Sequence, residues 1–476
     1  MKIAFWLDYD QTYTFVALFK EMQKRRSDLS ATGVVMNDRY FQAAQEGFPP
    51  GSELVRFYDL HTAARQRPLS EAELTHFKAF DEQHRLGRIA YGDRHLLSYS
   101  YDEEIRLLAN LELEFRAYLE REKPDLFIFN CVASQYAHLM FLLLREYGIR
   151  VVIPTIFGVE DLFYMADSPY MLCPDIWESF RAYRQGSAQI DADTRAWAEG
   201  FIANIRGGNA PYRNLAGDVE QKKFALPSPM RVIRYLSNHF RYYRNDPTLP
   251  SVVGRAKKLL WLRRNRKLSF KRFSPASVLE GQKFVYFPLH FEPEISTLIL
   301  SPYDQRSVID FVARQLPLNW RLVVKDHPAM LGHRDVDYYD GLISKYPNVV
   351  VLDPGVPSSK LAREAELVLT LNGTVFIESL IFGTPIIFLS PSRFGGFDLG
   401  AFTNNLIDFG LALDQALKSR WSDEDLVAMF AAIRRHTDRM TFIEPLENPQ
   451  VLAPENIAAL ANAIEKHLNR AQVHDV

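Results

Sequence analysis

Three short clusters carry residue types that could handle a phosphate and a proton. The first is Pro288-Leu289-His290-Phe291-Glu292-Pro293-Glu294. In an extended segment alternate side chains share a face, so Glu292 and Glu294 can point the same way beside His290. A carboxylate pair with a histidine suits general acid/base or nucleophilic work at a sugar carbon. The second is Val324-Lys325-Asp326-His327-Pro328. Lys325 and His327 alternate onto one face and Pro328 fixes the turn, so the two cations could meet one phosphate and offset the charge that develops on a departing nucleotide. The third is Thr370-Leu371-Asn372-Gly373-Thr374-Val375-Phe376-Ile377-Glu378. A glycine turn leading into a helix offers backbone N–H groups, with the Thr374 hydroxyl, to a diphosphate. Glu378, one turn on, is placed to accept ribose hydroxyls or to cap the helix.

These clusters matter because of what precedes them. Short apolar runs alternate with stretches of helical period along most of the chain, the signature of parallel α/β architecture. In such sheets ligands bind beyond the carboxyl ends of the strands. Strands are expected at 2–7, 125–130, 150–155, 284–288, 320–325, 348–352, 367–371 and 385–389. Helices are expected at 14–25, 103–122, 135–147, 303–315, 336–345, 357–364, 374–382, 422–436 and 455–469. The pattern gives a Rossmann-like half over 1–185, a basic helical insertion or linker over 186–280, a second Rossmann-like half over 281–440, and a helical segment over 441–476 that closes the second half or crosses back to the first.

Two further acidic groups follow strands of the first half. Asp8 and Asp10, in Leu7-Asp8-Tyr9-Asp10-Gln11-Thr12, imitate the nucleophile sequence of haloacid-dehalogenase phosphatases, but no downstream acidic metal pair completes it; they are read as lining the acceptor side of a cleft. Glu160-Asp161, after Phe157-Gly158, is a candidate acceptor-activating base or, in the plainer reading, a helix N-cap. Walker, dinucleotide-glycine, zinc-protease and serine-hydrolase signatures are absent.

Taken together, Tyr286-Phe287-Pro288-Leu289-His290-Phe291-Glu292-Pro293-Glu294, Val324-Lys325-Asp326-His327-Pro328, Tyr346-Pro347-Asn348-Val349, and Asn372-Gly373-Thr374 with Glu378 and Gly383-Thr384-Pro385 resemble the bacterial capsule polysaccharide biosynthesis family, which includes Kdo transferases. The resemblance covers roughly residues 284–400. It implies a GT-B fold of two Rossmann-like domains facing a cleft, a nucleotide-sugar donor held by the second domain, a glycan or lipid-linked glycan acceptor held mainly by the first, and no obligatory metal. It makes His327 the donor-phosphate contact, with Pro328 completing its motif, and Glu292 or Glu294 a catalytic carboxylate. A CMP-linked 2-keto acid such as Kdo is one donor it suggests. Val375 and Phe376 stand where family members often have a small residue and Gly or Trp. His-Pro sialyltransferases carry an acidic pair followed by Gly; here Leu162 follows Glu160-Asp161.

Composition narrows the alternatives. At 476 residues and 47% hydrophobic the chain exceeds what one core normally holds. With 56 Lys+Arg against 58 Asp+Glu, no global charge draws it to nucleic acid or membrane. Two cysteines, Cys131 and Cys173, exclude a disulfide framework and fit a reducing compartment. The opening Met1-Lys2-Ile3-Ala4-Phe5-Trp6 reads as a strand and not as a signal core, and no apolar run reaches the roughly 18 residues of a membrane span. A cytoplasmic protein is expected, peripheral on the inner membrane through the basic, aromatic-rich stretch Arg231 to Arg272. Nucleic acid is not expected, because no recognised module accompanies that stretch. The remaining alternatives are a polyol-phosphate transferase of teichoic-acid type using the same phosphate contacts, and a non-enzymatic membrane- or nucleic-acid-binding protein. Because protein cations and a helix N-terminus would meet the phosphate charge, turnover is expected to persist in excess EDTA; a complete loss restored by magnesium would make Asp8 and Asp10 metal ligands.

Overall fold

The computed structural model describes residues 1–93, 99–209, 229–243, 251–292, 295–390 and 393–474. The first half is a sheet of β1 (Lys2–Leu7), β2 (Ser30–Val35), β3 (Glu53–Arg56), β4 (Leu126–Ile128), β5 (Arg150–Ile156) and β6 (Leu162–Ala166). The second half is a sheet of β7 (Lys283–Pro288), β8 (Trp320–Lys325), β9 (Val349–Leu352), β10 (Leu367–Thr370), β11 (Ile386–Phe388) and β12 (Ala401–Phe402). A last strand, β13 (Asp438–Arg439), returns to the first sheet.

The orders are β13-β6-β5-β4-β1-β2-β3 and β12-β11-β10-β7-β8-β9. Each begins in the middle and winds outward in both directions, and every pairing is parallel except those made by β6. Both halves therefore have the 3-2-1-4-5 doubly wound order. Each leaves a crevice where the winding reverses, between β1 and β4 and between β7 and β10. Two such domains are the GT-B architecture.

The carboxyl ends of the two sheets meet. Arg393, beyond β11, donates from Nη1 to the Ile156 carbonyl at the end of β5, 3.1 Å away. Arg88 in the first half donates to the Ile299 carbonyl at 2.8 Å. Gly158 lies against Thr374 at the start of the helix Val375–Phe382.

Several strands did not announce themselves in the sequence. β2 begins Ser-Ala-Thr-Gly, too polar and small to register as an apolar run, yet all but its first residue is buried. β3 is four residues long and only partly covered. The helices Pro174–Arg184 and Ala192–Arg206, on either side of residue 185, share a core with the second half: Ile176, Phe180, Phe201 and Ile205 pack with Phe376, Leu380, Phe430 and Ile433. At its rim Arg184, Arg195 and Arg206 pair with Asp425, Glu424 and Asp423, acids in the first turn of the helix Asp423–His436. These exposed pairs contribute at most about 1 kcal/mol each; the apolar contact dominates.

The chain then crosses back. β13 pairs antiparallel with β6, and the helix Pro454–His474 buries Leu460, Ala461 and Ile464 with Phe15, Phe19 and Met22 of the helix Gln11–Arg25. Arg25 donates to Asn462 at 2.6 Å and to Glu465 at 3.0 Å.

The junction at Gly158 has no room for a side chain. Its φ is +92°, and a Cβ would stand 2.6 Å from Thr374 Cγ2. Gly158→Ala is expected to cost about 1–3 kcal/mol in denaturant unfolding, from strain and overpacking together; unchanged stability would show that the two loops separate freely.

Candidate functional site

The site grows from the crevice between β7 and β10. β7 ends at Pro288, and the chain is held down by Leu289 N–H donating to the Lys325 carbonyl at 2.9 Å. His290 follows, its Nε2 3.4 Å from Thr370 Oγ1 at the end of β10. Thr370 Oγ1 in turn accepts from Gly373 N–H at 2.9 Å. A Cβ on Gly373 would come within 2.9 Å of His290 Cε1, so glycine is required there by close approach. Burial pushes the His290 imidazole down to about 4, helped by the nearby His327 and Arg334. It is neutral at physiological pH and acts as a hydrogen-bonding wedge between the two loops.

Beside it, β8 delivers Lys325 and the following turn. Pro328 has no N–H, so the first amide of its 3-10 turn that needs an acceptor is that of Ala329, and His327 Nδ1 takes it at 3.1 Å. An amide can only donate, so the ring proton sits on Nε2, which is left to donate. Burial lowers the His327 pKa, and Lys325 and Arg334 add to this against the opposing pull of Asp326.

Asp326 is buried and organises the loop. It accepts from His327 N–H at 2.9 Å, from Arg334 Nε at 3.3 Å and from the Tyr339 hydroxyl. Arg334 also donates to the His290 carbonyl at 3.0 Å and lies 3.7 Å from Glu292. Arg334 thus ties the loops after β7 and β8 together. It was not singled out from the sequence; its signal was a lone cation in Gly332-His333-Arg334-Asp335 immediately before a helix.

Lys325 and Glu378 approach the same place from two elements. Desolvation lowers Lys325 to about 8, opposed by the charges of Glu378 and Asp353, and its Nζ donates to the Val356 carbonyl at 2.9 Å. Desolvation raises Glu378 to about 7, opposed by Lys325. The helix Val375–Phe382 starts beside them, and Thr374 at its N-cap position makes no side-chain cap hydrogen bond among the described residues. The buried Oδ1 of Asn372 has no hydrogen-bond partner among the described residues. Lys325, His327, Pro328, Asn372, Gly373, Thr374 and Glu378 are thereby gathered with His290 at the carboxyl end of the second sheet.

The other expected acids are placed differently. Glu292 is turned toward Gln305, accepting from its Nε2 at 2.7 Å and its backbone N–H at 3.3 Å, and burial raises its pKa. Gln305 also bonds both backbone groups of His290, so Glu292 serves to brace this loop. Glu294 lies outside the described residues. Glu160 and Asp161 form no helix cap: they occupy the tight turn between β5 and β6, Glu160 at φ +44°, where Arg439 of β13 pairs with both and Trp197 donates to Glu160. Asp8 and Asp10 follow β1 at the other crevice. Desolvation raises the Asp10 pKa, opposed by a hydrogen bond accepted from the Leu446 backbone and reinforced by the like charge of Glu447 in the returning segment.

A cleft of about 1070 Å³ lies away from these residues, lined by Tyr164, Asp175, Ser179, His436 and Lys466 among others. Ser179 Oγ is 2.7 Å from His436 Nε2, and His436 Nδ1 is 3.0 Å from Asp175. The order of groups is that of a hydrolytic triad. Ser179 however sits inside the helix Pro174–Arg184, whose backbone amides are engaged along the helix, so its own backbone supplies no oxyanion hole. The array latches this helix to the end of Asp423–His436.

No family model matches the chain. Protein FixF of Sinorhizobium fredii is 27% identical over 170 residues, 34% of this chain and 39% of FixF. The matched segment thus spans well under half of that relative. Among solved structures the chain is similar to KpsC of Thermosulfurimonas dismutans, a beta Kdo 2,7 transferase, at 14% identity and TM-score 0.37, covering 74% of this chain and 89% of that one. It is also similar to the UDP-GlcNAc 2-epimerase of Methanocaldococcus jannaschii, at 12% identity and TM-score 0.29, covering 90% and 97%. Likenesses this distant leave the activity to be argued from the site.

The buried acid gives a pH test. Glu378 has a folded pKa above its ordinary 4.5, so between 4.5 and about 7 the folded state holds a proton that the unfolded state has lost. Its contribution to stability therefore falls as pH rises through that window. Relative to wild type, Glu378→Gln is expected to gain about 1–3 kcal/mol across it, measured by denaturant unfolding at each pH; parallel profiles would mean that Glu378 is solvated.

Proposed function

We propose that the protein is a nucleotide-sugar-dependent glycosyltransferase of GT-B architecture. The reading is supported above all by the convergence of Lys325, His327 and the Asn372–Thr374 helix start at the reversal of winding in the second sheet. In this reading the donor diphosphate or monophosphate lies on the start of the helix Val375–Phe382. The Lys325 ammonium and the His327 Nε2 proton stabilise the negative charge that appears as the glycosyl–oxygen bond breaks. Asn372 Oδ1 and Glu378 accept from hydroxyls of the nucleoside. The first half supplies the acceptor side across the facing carboxyl ends, with Asp8 and Asp10 at its own crevice. The reacting carboxylate is proposed to be Glu294, two residues beyond Glu292.

The acceptor in this reading is a surface polysaccharide or lipid-linked glycan, and a 2-keto sugar such as Kdo carried on CMP is the first donor to test. The protein would work from the cytoplasmic face of the inner membrane. No helix among the described residues is long and apolar enough to cross a membrane.

A thermal-shift screen with CMP, CDP, UDP and GDP should raise the melting temperature with one nucleotide base, because a ligand of the native state alone stabilises it. With that donor, His327→Ala and Lys325→Ala should each lower turnover on the order of a hundredfold while melting like wild type. Near-normal rates in both variants would remove the phosphate role of these residues.

A further inference from the structure

The segments 229–243 and 251–272 contain no aspartate or glutamate and many cations. They form the helix Pro229–Asn238 with its extension His239–Tyr243, and the helix Val252–Ser269. The two meet where the Arg255 guanidinium lies over the Tyr235 ring at 4.3 Å. The second helix is seated firmly by one face. Leu262, Asn265 and Ser269 are buried, at a spacing of three and four. Asn265 Nδ2 donates to Asp335 at 3.0 Å, and Arg272 holds Asp340 at 2.6 and 2.9 Å. Gly332, at φ +89°, lets the Leu262 carbonyl approach to 2.5 Å from where a Cβ would stand. Gly332, Asp335 and Asp340 follow the His327–Pro328 turn directly, so the helix is fixed to the element that carries Arg334.

The opposite face has another character. At 100° per residue, Val253, Lys257, Leu260, Arg264 and Lys267 form a ridge diametrically opposed to Leu262 and Ser269. Leu260 is 69% exposed and Val253 64%. On the neighbouring helix and its extension, Ile233 is 61% and Phe240 64% exposed. Among the described residues Lys257, Arg264 and Lys267 form no ion pair. A solvated helix face would carry acids between its cations, and a nucleic-acid surface gains little from protruding aliphatic side chains. Cations set among exposed aliphatic and aromatic groups match a surface that is anionic outside and apolar a few ångströms deeper.

We propose that this two-helix face docks on an anionic lipid bilayer, the cations meeting headgroups while Val253, Leu260, Ile233 and Phe240 enter the acyl boundary. The proposal extends the reading above by naming what covers this face, and it rests on that reading only for the membrane location of the acceptor.

The test is sedimentation of the full chain with large unilamellar vesicles of phosphatidylcholine alone or mixed with phosphatidylglycerol. Binding is expected only with phosphatidylglycerol, weakening as salt rises. The double variant Val253→Ser with Leu260→Ser, which leaves charge unchanged, should bind on the order of tenfold or more weakly. Lys257→Glu with Arg264→Glu should lose binding to a similar degree. Circular dichroism melts matching wild type establish that both variants fold. Equal binding to both vesicle types, no binding to either, or wild-type binding by the aliphatic variant overturns the proposal. A concentration-dependent dimer broken by the aliphatic variant would instead assign the face to a second copy. Thermal shift by nucleotide is read on the same samples, so a failed transferase reading and a failed membrane face are told apart.

Discussion

A parallel sheet that starts in its middle and winds outward both ways must leave its first and fourth strands side by side with connections departing in opposite directions. No backbone covers the gap between their carboxyl ends. This chain builds that arrangement twice, and the loops after β5 and β11 bring the open ends together. Everything placed at the site follows from this constraint. His290 leaves β7 and Thr370 ends β10, so the two groups flanking the gap belong to strands adjacent in space but 80 residues apart in sequence.

Filling such a gap with polar groups has an electrostatic cost that the chain meets in two ways. Asp326 is nearly inaccessible but surrounded by donors from His327, Arg334 and Tyr339, so its charge is balanced and the loop geometry is fixed by the balance. Lys325 and Glu378 are left in a less settled state, each displaced toward neutrality by burial, Lys325 pulled back by Glu378 and Asp353 and Glu378 by Lys325. Rigid charge thus lies beside a pair that burial holds close to neutrality. That division suits a site where negative charge must arrive, shift and depart.

Much of this was legible in the sequence because it is local. A strand followed by Lys-Asp-His-Pro, or by Asn-Gly-Thr and a helix, carries its geometry within ten residues. Lys325, His327 and the Asn372–Thr374 turn can therefore be picked out before any fold is known. What escaped was set by distant partners. Glu292 looks like a free acid until Gln305 is seen to hold both its oxygens, and Arg334 looks like a surface cation until Asp326 is folded over it. Glu160 and Asp161 look like a free acidic pair without Arg439, which reaches Glu160 from 279 residues later in the chain. β2 and β3 escaped for a different reason: short strands of small or half-covered residues carry no periodicity strong enough to register.

The return of the chain after the second half has a consequence for the order of assembly. The helix Pro454–His474 and β13 complete the first half, yet they are translated after every strand of the second. The half that emerges first from the ribosome must therefore wait, with Phe15, Phe19 and Met22 uncovered, while the half inserted into it is still being synthesised. The helix Pro454–His474 acts as a closing seal on the first half. A nascent chain stalled before it would present an aromatic groove to chaperones even when the second half is already native.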